Sequence, residues 1–204
     1  MKHSPDAPSA VSRETRDRLD AYAALLLQWN RTINLVSRRD EAELWHRHFS
    51  ESLALLRFIP PNFAFGADLG SGGGFPGLVL AIATGRPFHL IEADQRKAAF
   101  LREAARATAA TVTVHGVRIE KWGATDVPLI TARALAPLTI LLGWAAPKLA
   151  PNGVCLFPKG RNHAAELTAA ATQWQMHVER FPSPSDPEAA ILRIRDIQRV
   201  GSTT

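Results

Sequence analysis

The residues with the most chemistry to offer form one glycine-rich run, Asp68-Leu69-Gly70-Ser71-Gly72-Gly73-Gly74-Phe75-Pro76-Gly77. Glycines after a buried strand let the backbone turn tightly and approach a ligand where a Cβ would intrude. A helix that follows such a turn presents unpaired N–H groups at its start. Gly72, Gly74 and Gly77 satisfy the spacing G-x-G-x-x-G, in which those donors hold a dinucleotide pyrophosphate. Three features favour a different ligand. The apolar strand ends at Leu69, so the turn begins at Gly70 and its sixth position is Phe75. The Phe75-Pro76 pair would crowd a pyrophosphate but can line the pocket of a less charged cofactor. Asp68, just ahead of the turn, disfavours additional phosphates.

Glu92 strengthens the nucleotide reading. It follows a second apolar strand, 22 residues after Gly70, where a carboxylate can accept hydrogen bonds from both ribose hydroxyls. Asp94 is the better candidate for a helix cap, because it immediately precedes Gln95-Arg96-Lys97. These residues point to S-adenosylmethionine ahead of a nicotinamide dinucleotide. A purely structural glycine turn is the remaining reading.

The elements that must position these residues fall into two parts. Residues 1–60 read as a helical cap, with one helix over about Glu14–Trp29 carrying Leu19, Tyr22, Leu26 and Trp29 on one face. A second covers about Glu41–Phe58, with Trp45, Phe49, Leu53 and Leu56 in repeat, and Pro60-Pro61 ends it. The link between them, Asn30–Asp40, is polar and rich in arginine. Residues 61–204 alternate short apolar runs with helical stretches. Strands are predicted at Ala64–Leu69, Phe88–Ile91, Thr111–His115, Leu129–Ala132, Val154–Phe157, Gln175–Val178 and Ala189–Arg195. Helices are predicted at Phe75–Ala83, Gln95–Ala109, Pro137–Leu149 and His163–Thr172. This alternation implies βαβ units. The last two strands, joined only by the loop Phe181–Glu188, imply an antiparallel hairpin at one edge. The predicted fold is α/β: a Rossmann-like class I methyltransferase with a mainly parallel seven-stranded sheet and an N-terminal helical cap.

Composition sets outer limits. The 204 residues are 46% hydrophobic and 21% charged, normal for a globular chain of one domain. Cys155 is the only cysteine, so an internal disulfide and a cysteine-rich zinc site are excluded. It lies in an apolar strand, as a buried side chain. No metal is expected. No apolar stretch approaches the ~20 residues that span a bilayer, and the N-terminus lacks the apolar core of a secretory signal. Cytoplasm is the expected location. The net charge of +5 mildly favours a polyanionic partner. Residues 1–60 carry nine Lys/Arg against eight Asp/Glu, so charge alone does not establish RNA binding.

Several ordered segments carry a family resemblance from about Leu25 to Ile197. They are Trp29-Asn30-Arg31-Thr32-Ile33-Asn34-Leu35, His48-Phe49-Ser50-Glu51-Ser52-Leu53 and Asp68–Gly77. Leu90-Ile91-Glu92, Lys97 with Phe100-Leu101, Arg118-Ile119-Glu120, Thr131-Ala132-Arg133-Ala134 and Pro158-Lys159-Gly160 follow. Together they resemble the RsmG (GidB) family of 16S rRNA guanine-N7 methyltransferases. The resemblance implies S-adenosylmethionine bound by Gly70, Phe75, Ile119, Glu120 and Arg133, joined by Gly72 and Glu92 from the readings above. Glu92 and Glu51 stand where the family usually has aspartate, and Ile119 where alanine is frequent.

The implied reaction is methylation of guanine N7 in the decoding region of the small ribosomal subunit. N7 carries an available lone pair, so no general base and no catalytic residue is expected. Positioning alone can supply on the order of 7–11 kcal/mol in the best cases. His46, His48 and His115 read as structural or RNA-facing. N7 lies in the deep, narrow groove of A-form RNA, which side chains do not read, so the target is an unpaired or extruded nucleotide. Arg31, Arg38, Arg39, Lys159 and Arg161 are candidate phosphate contacts, with Asn34 a further RNA candidate and Asn30 a structural brace. A monomer is expected. The alternatives are an S-adenosylmethionine enzyme acting on a protein or small molecule, a nicotinamide oxidoreductase, and a non-catalytic ribosome-binding protein.

Overall fold

Seven strands run in chain order as β1 (Gly66–Leu69), β2 (Phe88–Ile91), β3 (Val112–His115), β4 (Val127–Thr131), β5 (Leu149–Lys159), β6 (Trp174–Pro182) and β7 (Ala190–Arg199). In the computed structural model, which describes residues 11–201, they form one sheet in the order β3-β2-β1-β4-β5-β7-β6. The N-terminal stretch read above as free of an apolar core lies mostly outside the described residues. β1 to β5 are mutually parallel. β7 is antiparallel to both its neighbours. The predicted hairpin therefore forms, but its second strand lies inside and its first strand is the edge.

Helices cover both faces of the sheet. On one lie α1 (Arg13–Asn30), α3 (Glu51–Ala54), α4 (Gly77–Thr84) and α5 (Gln95–Ala107); on the other lie α6 (Leu138–Ala145) and α7 (His163–Ala171). Leu19, Tyr22 and Leu26 of α1 are wholly buried in the same core as Leu78, Phe100 and Leu101. Ser12 caps α1, its Oγ accepting from Thr15 N at 3.1 Å. Arg18 donates to the carbonyls of Thr108 and Ala109 beyond the end of α5, where a cation also meets the negative end of the helix dipole. Asp94 caps α5 as expected, accepting from Arg96 N and Lys97 N. Cys155 is buried and free. No helix among the described residues is long and apolar enough to cross a membrane.

The second predicted helix, Glu41–Phe58, is not continuous. The chain forms α2 (Arg38–Ala42), a π-helical turn at Trp45–Ser50, α3, and a 3-10 turn at Leu55–Phe58. α2 starts inside the predicted link because Ser37 caps it, accepting from Asp40 N. Phe49 and Leu53 are buried as the repeat requires, but the tightened last turn buries Leu55 in place of Leu56. Asn30 is the brace that was expected. Its Oδ1 accepts from Leu35 N (2.7 Å) and Val36 N (3.0 Å), and its Nδ2 donates to Val36 O and Glu41.

Asp68 sits fully buried in the middle of this sheet. Its Oδ1 accepts from the Thr131 hydroxyl at 2.7 Å, tying β1 to β4, while its Oδ2 has no partner. Burial pushes its pKa up to about 6, against the lowering effect of Thr131. Folding thus takes up a proton at this group between its ordinary value of 3.8 and about 6. The associated stabilisation is complete below the lower value and is lost as pH rises through the upper one. Asp68→Asn should flatten that decline, which amounts to up to about 3 kcal/mol. Urea denaturation at a series of pH values reads the change, and an unaltered profile would mean the carboxyl is already ionised in the folded chain.

Candidate functional site

The chain leaves β1 for the helices on one face and β4 for those on the other. Between these two neighbours the sheet has its topological switch point, where open α/β sheets bind ligands beyond the strand ends. The glycine turn leaves β1 at this point. Gly70, Gly72 and Gly74 all have positive φ (65°, 54° and 94°). A Cβ on Gly70 would lie 2.4 Å from Leu135 Cδ1, whereas one on Gly72 would meet only Gly70 O at 3.8 Å. The first glycine is thus favoured by its left-handed backbone together with close packing on Leu135, and the second leaves open space for a ligand.

Glu92, at the end of β2, holds the turn in place. Its Oε2 accepts from Gly72 N and its Oε1 from Asp94 N, each at 2.8 Å. A carboxylate oxygen has a second lone pair, so both can still accept from a ligand. One carboxylate thus serves both amides. Ile119, buried, and Glu120, exposed, occupy a 3-10 turn after β3. Phe75 lies under the cleft, its ring stacked on His48 (4.9 Å between centroids). A cleft of about 1520 Å³ is lined by all seven expected cofactor residues, Gly70, Gly72, Phe75, Glu92, Ile119, Glu120 and Arg133.

Arg133 forms the far wall, just beyond β4, where Ala134 takes a left-handed φ of 51° and turns the chain away. Its guanidinium donates to Glu51 Oε2 (3.1 Å), to Arg47 O (3.2 Å) and to His48 Nδ1, and lies 5.2 Å from the Phe75 ring centroid. Because arginine can only donate, His48 Nδ1 is an acceptor and the imidazole carries its proton on Nε2. Burial, with Arg133 beside it, pushes the His48 pKa down to about 4, so the ring is neutral at physiological pH. The other oxygen of Glu51 accepts from the Ser185 hydroxyl in the loop between β6 and β7. Segment 47–51 therefore joins the cleft wall to that loop. The motif His48–Leu53 was visible in the sequence, but nothing there linked His48 or Glu51 to Arg133.

The candidate RNA contacts divide. Arg39, Lys159 and Arg161 line the same cleft, whereas Arg31, Asn34 and Arg38 line a neighbouring groove of about 910 Å³. Arg161 is exposed, with Glu188 at 3.8 Å. Lys159 is held: its Nζ donates to Ala136 O (3.0 Å) and pairs with Glu166 (2.6 Å). Glu166 in turn accepts from Leu138 N at the start of α6, so this lysine also ties β5 to two helices. His46 lines the cleft. His115 lies away from it, hydrogen-bonded to His89 at 2.9 Å and packed on Trp122.

Removing Glu51 would leave the Arg133 guanidinium without its carboxylate in a largely desolvated place. Glu51→Ala should cost about 3 kcal/mol of stability, as expected when one partner of a buried pair is deleted. Chemical denaturation measures it, and a loss well under ~1 kcal/mol would show that Arg133 relaxes into solvent.

The profile of the rRNA small subunit methyltransferase G family matches residues 15–190. Ribosomal RNA small subunit methyltransferase G of Granulibacter bethesdensis is 58% identical over 194 residues, which cover 95% of this chain and 91% of that protein. The protein of the same name from Gluconobacter oxydans is 55% identical, over 94% of this chain and 99% of its own. Solved structures share the architecture at low identity. A ribosomal protein L11 methylase from Lactobacillus delbrueckii subsp. bulgaricus superposes with a TM-score of 0.59 at 15% identity, over 74% of this chain and 78% of its own. A TehB-like SAM-dependent methyltransferase from Corynebacterium glutamicum gives 0.57 at 16%, over 86% and 98%. The fold is that of the class I methyltransferases, and by sequence the chain belongs to the rRNA small subunit methyltransferase G family.

Proposed function

We propose that this protein uses S-adenosylmethionine to methylate N7 of a guanosine in the decoding region of 16S rRNA, with the small ribosomal subunit as its partner. The observation that carries the reading is the convergence of the glycine turn, Glu92 and Arg133 on one cleft at the switch point of the sheet, in a chain of this family. The residues suit the cofactor. Gly72 leaves room for close approach, Glu92 offers free lone pairs to two ribose hydroxyls, and Arg133 offers a cation to a carboxylate. Ile119 through its backbone and Glu120 through its side chain stand where an adenine would be recognised, and Phe75 walls the pocket. When bound, the cofactor supplies a methyl group already activated on a sulfonium.

The chain's own task is then to hold guanine N7 in line and keep water out. No proton has to leave N7 before attack. His48 is unsuited to proton transfer, because its Nδ1 is engaged by Arg133 and its pKa lies near 4. Arg39 and Arg161 at the cleft, and Arg31, Asn34 and Arg38 in the adjoining groove, are assigned to RNA phosphates. Lys159 reaches RNA only by leaving Glu166. In this reading residues 1–60 form the cap and residues 61–204 the cofactor domain, and the protein works as a cytoplasmic monomer.

Incubation with tritiated S-adenosylmethionine and small subunits lacking the modification should label 16S rRNA at one guanosine. Label in a ribosomal protein or a small metabolite, with none in rRNA, would reverse the substrate assignment. Gly70→Asp, whose side chain would collide with Leu135 at the foot of the turn, should abolish labelling. Full labelling by that variant would remove the turn from the mechanism.

A further inference from the structure

We infer that Tyr22, in the N-terminal helix α1, is a positioning residue that sets the glycine turn for its cofactor; the inference rests on the cofactor reading above. Gly73 and Gly74 are successive glycines, so the peptide between them has little intrinsic preference for one orientation. Other parts of the turn are anchored by their amides. Ser71 N donates to Ile91 O, Gly72 N to Glu92 and Gly74 N to Ser71 O. The Gly73 carbonyl receives its hydrogen bond from the Tyr22 hydroxyl, alone among the described residues.

The fit around this hydroxyl is close. Tyr22 is wholly buried. A Cβ on Gly74, whose φ is +94°, would lie 2.4 Å from Tyr22 Oη, so the turn packs directly on the hydroxyl. The ring stacks on Phe75 (5.5 Å, 28°) and meets Phe49 edge-on at 5.2 Å. Burial raises the phenol pKa, which keeps Oη a donor. Gly73 and Phe75 line the cleft, and Tyr22 does not. It therefore acts through them. An anchored turn spares the ordering cost that a free one would incur on binding.

Tyr22 is the only tyrosine in the chain, so growth on fluorotyrosine labels this position alone. Fluorine NMR of the labelled full-length protein should show one resonance that moves on saturation with S-adenosylmethionine. By calorimetry Tyr22→Phe, which keeps the ring, should bind S-adenosylmethionine about tenfold more weakly, the effect of one hydrogen bond. In turnover the KM for cofactor should rise by a similar factor, while kcat at saturation and KM for the small subunit stay unchanged. Wild-type affinity in Tyr22→Phe, even with a lowered Tm, would overturn the inference and leave the tyrosine a brace of the fold. Should that variant not fold, an unmoved fluorine resonance at saturation overturns it equally. Absence of S-adenosylmethionine binding to the unsubstituted protein would instead sink the cofactor reading itself, and the inference with it.

Discussion

A guanidinium placed at the end of β4 with little access to water has to be neutralised, and the answer this chain adopts organises the cleft. Arg133 takes a carboxylate from Glu51, a carbonyl from Arg47 and a ring nitrogen from His48. All three belong to the N-terminal segment and none to the sheet that carries the arginine. The N-terminal segment is thereby bound to the wall of the cleft. A straight α-helix over Glu41–Phe58 would present these groups at fixed 100° steps. The π-helical turn and the 3-10 turn change that spacing, and irregular turns of this kind recur at functional sites.

The same economy governs the glycine turn. Between Gly70 and Gly74 it has no side chain but that of Ser71, so its shape is set from outside: by Glu92 after β2, by Leu135 from the segment after β4, and by Tyr22 of α1. Three separate stretches of chain meet at this turn. The cleft takes apolar lining from both core clusters, Phe75 from one and Ile91 and Ile119 from the other.

Much of this was legible in the sequence, for local reasons. Glycines behind an apolar strand, Asp94 before a helix and Glu92 after β2 are signals carried within a few residues, and each stands where it was expected. Asn30 as a brace was legible too. What failed to show depends on contacts distant in sequence. The apolar repeat Trp45, Phe49, Leu53 is satisfied by α, π and 3-10 turns alike, so periodicity could not reveal where the second helix breaks. Lys159 was read as a phosphate contact with no sign of its ties to Glu166 and the Ala136 carbonyl, which come together only when α7 folds back on β5. Tyr22 looked like ordinary core, since nothing in α1 announces that its hydroxyl ends on a glycine carbonyl.

The position of β7 has a consequence for how the molecule is made. β6 precedes it in the chain but touches the sheet only through it. While the polypeptide is being synthesised, β5 therefore presents an open backbone edge and β6 has nothing to pair with until Ala190–Arg199 has emerged. Unpaired edges template association between chains. A nascent chain stalled between these two strands would carry a finished glycine turn beside an unprotected edge.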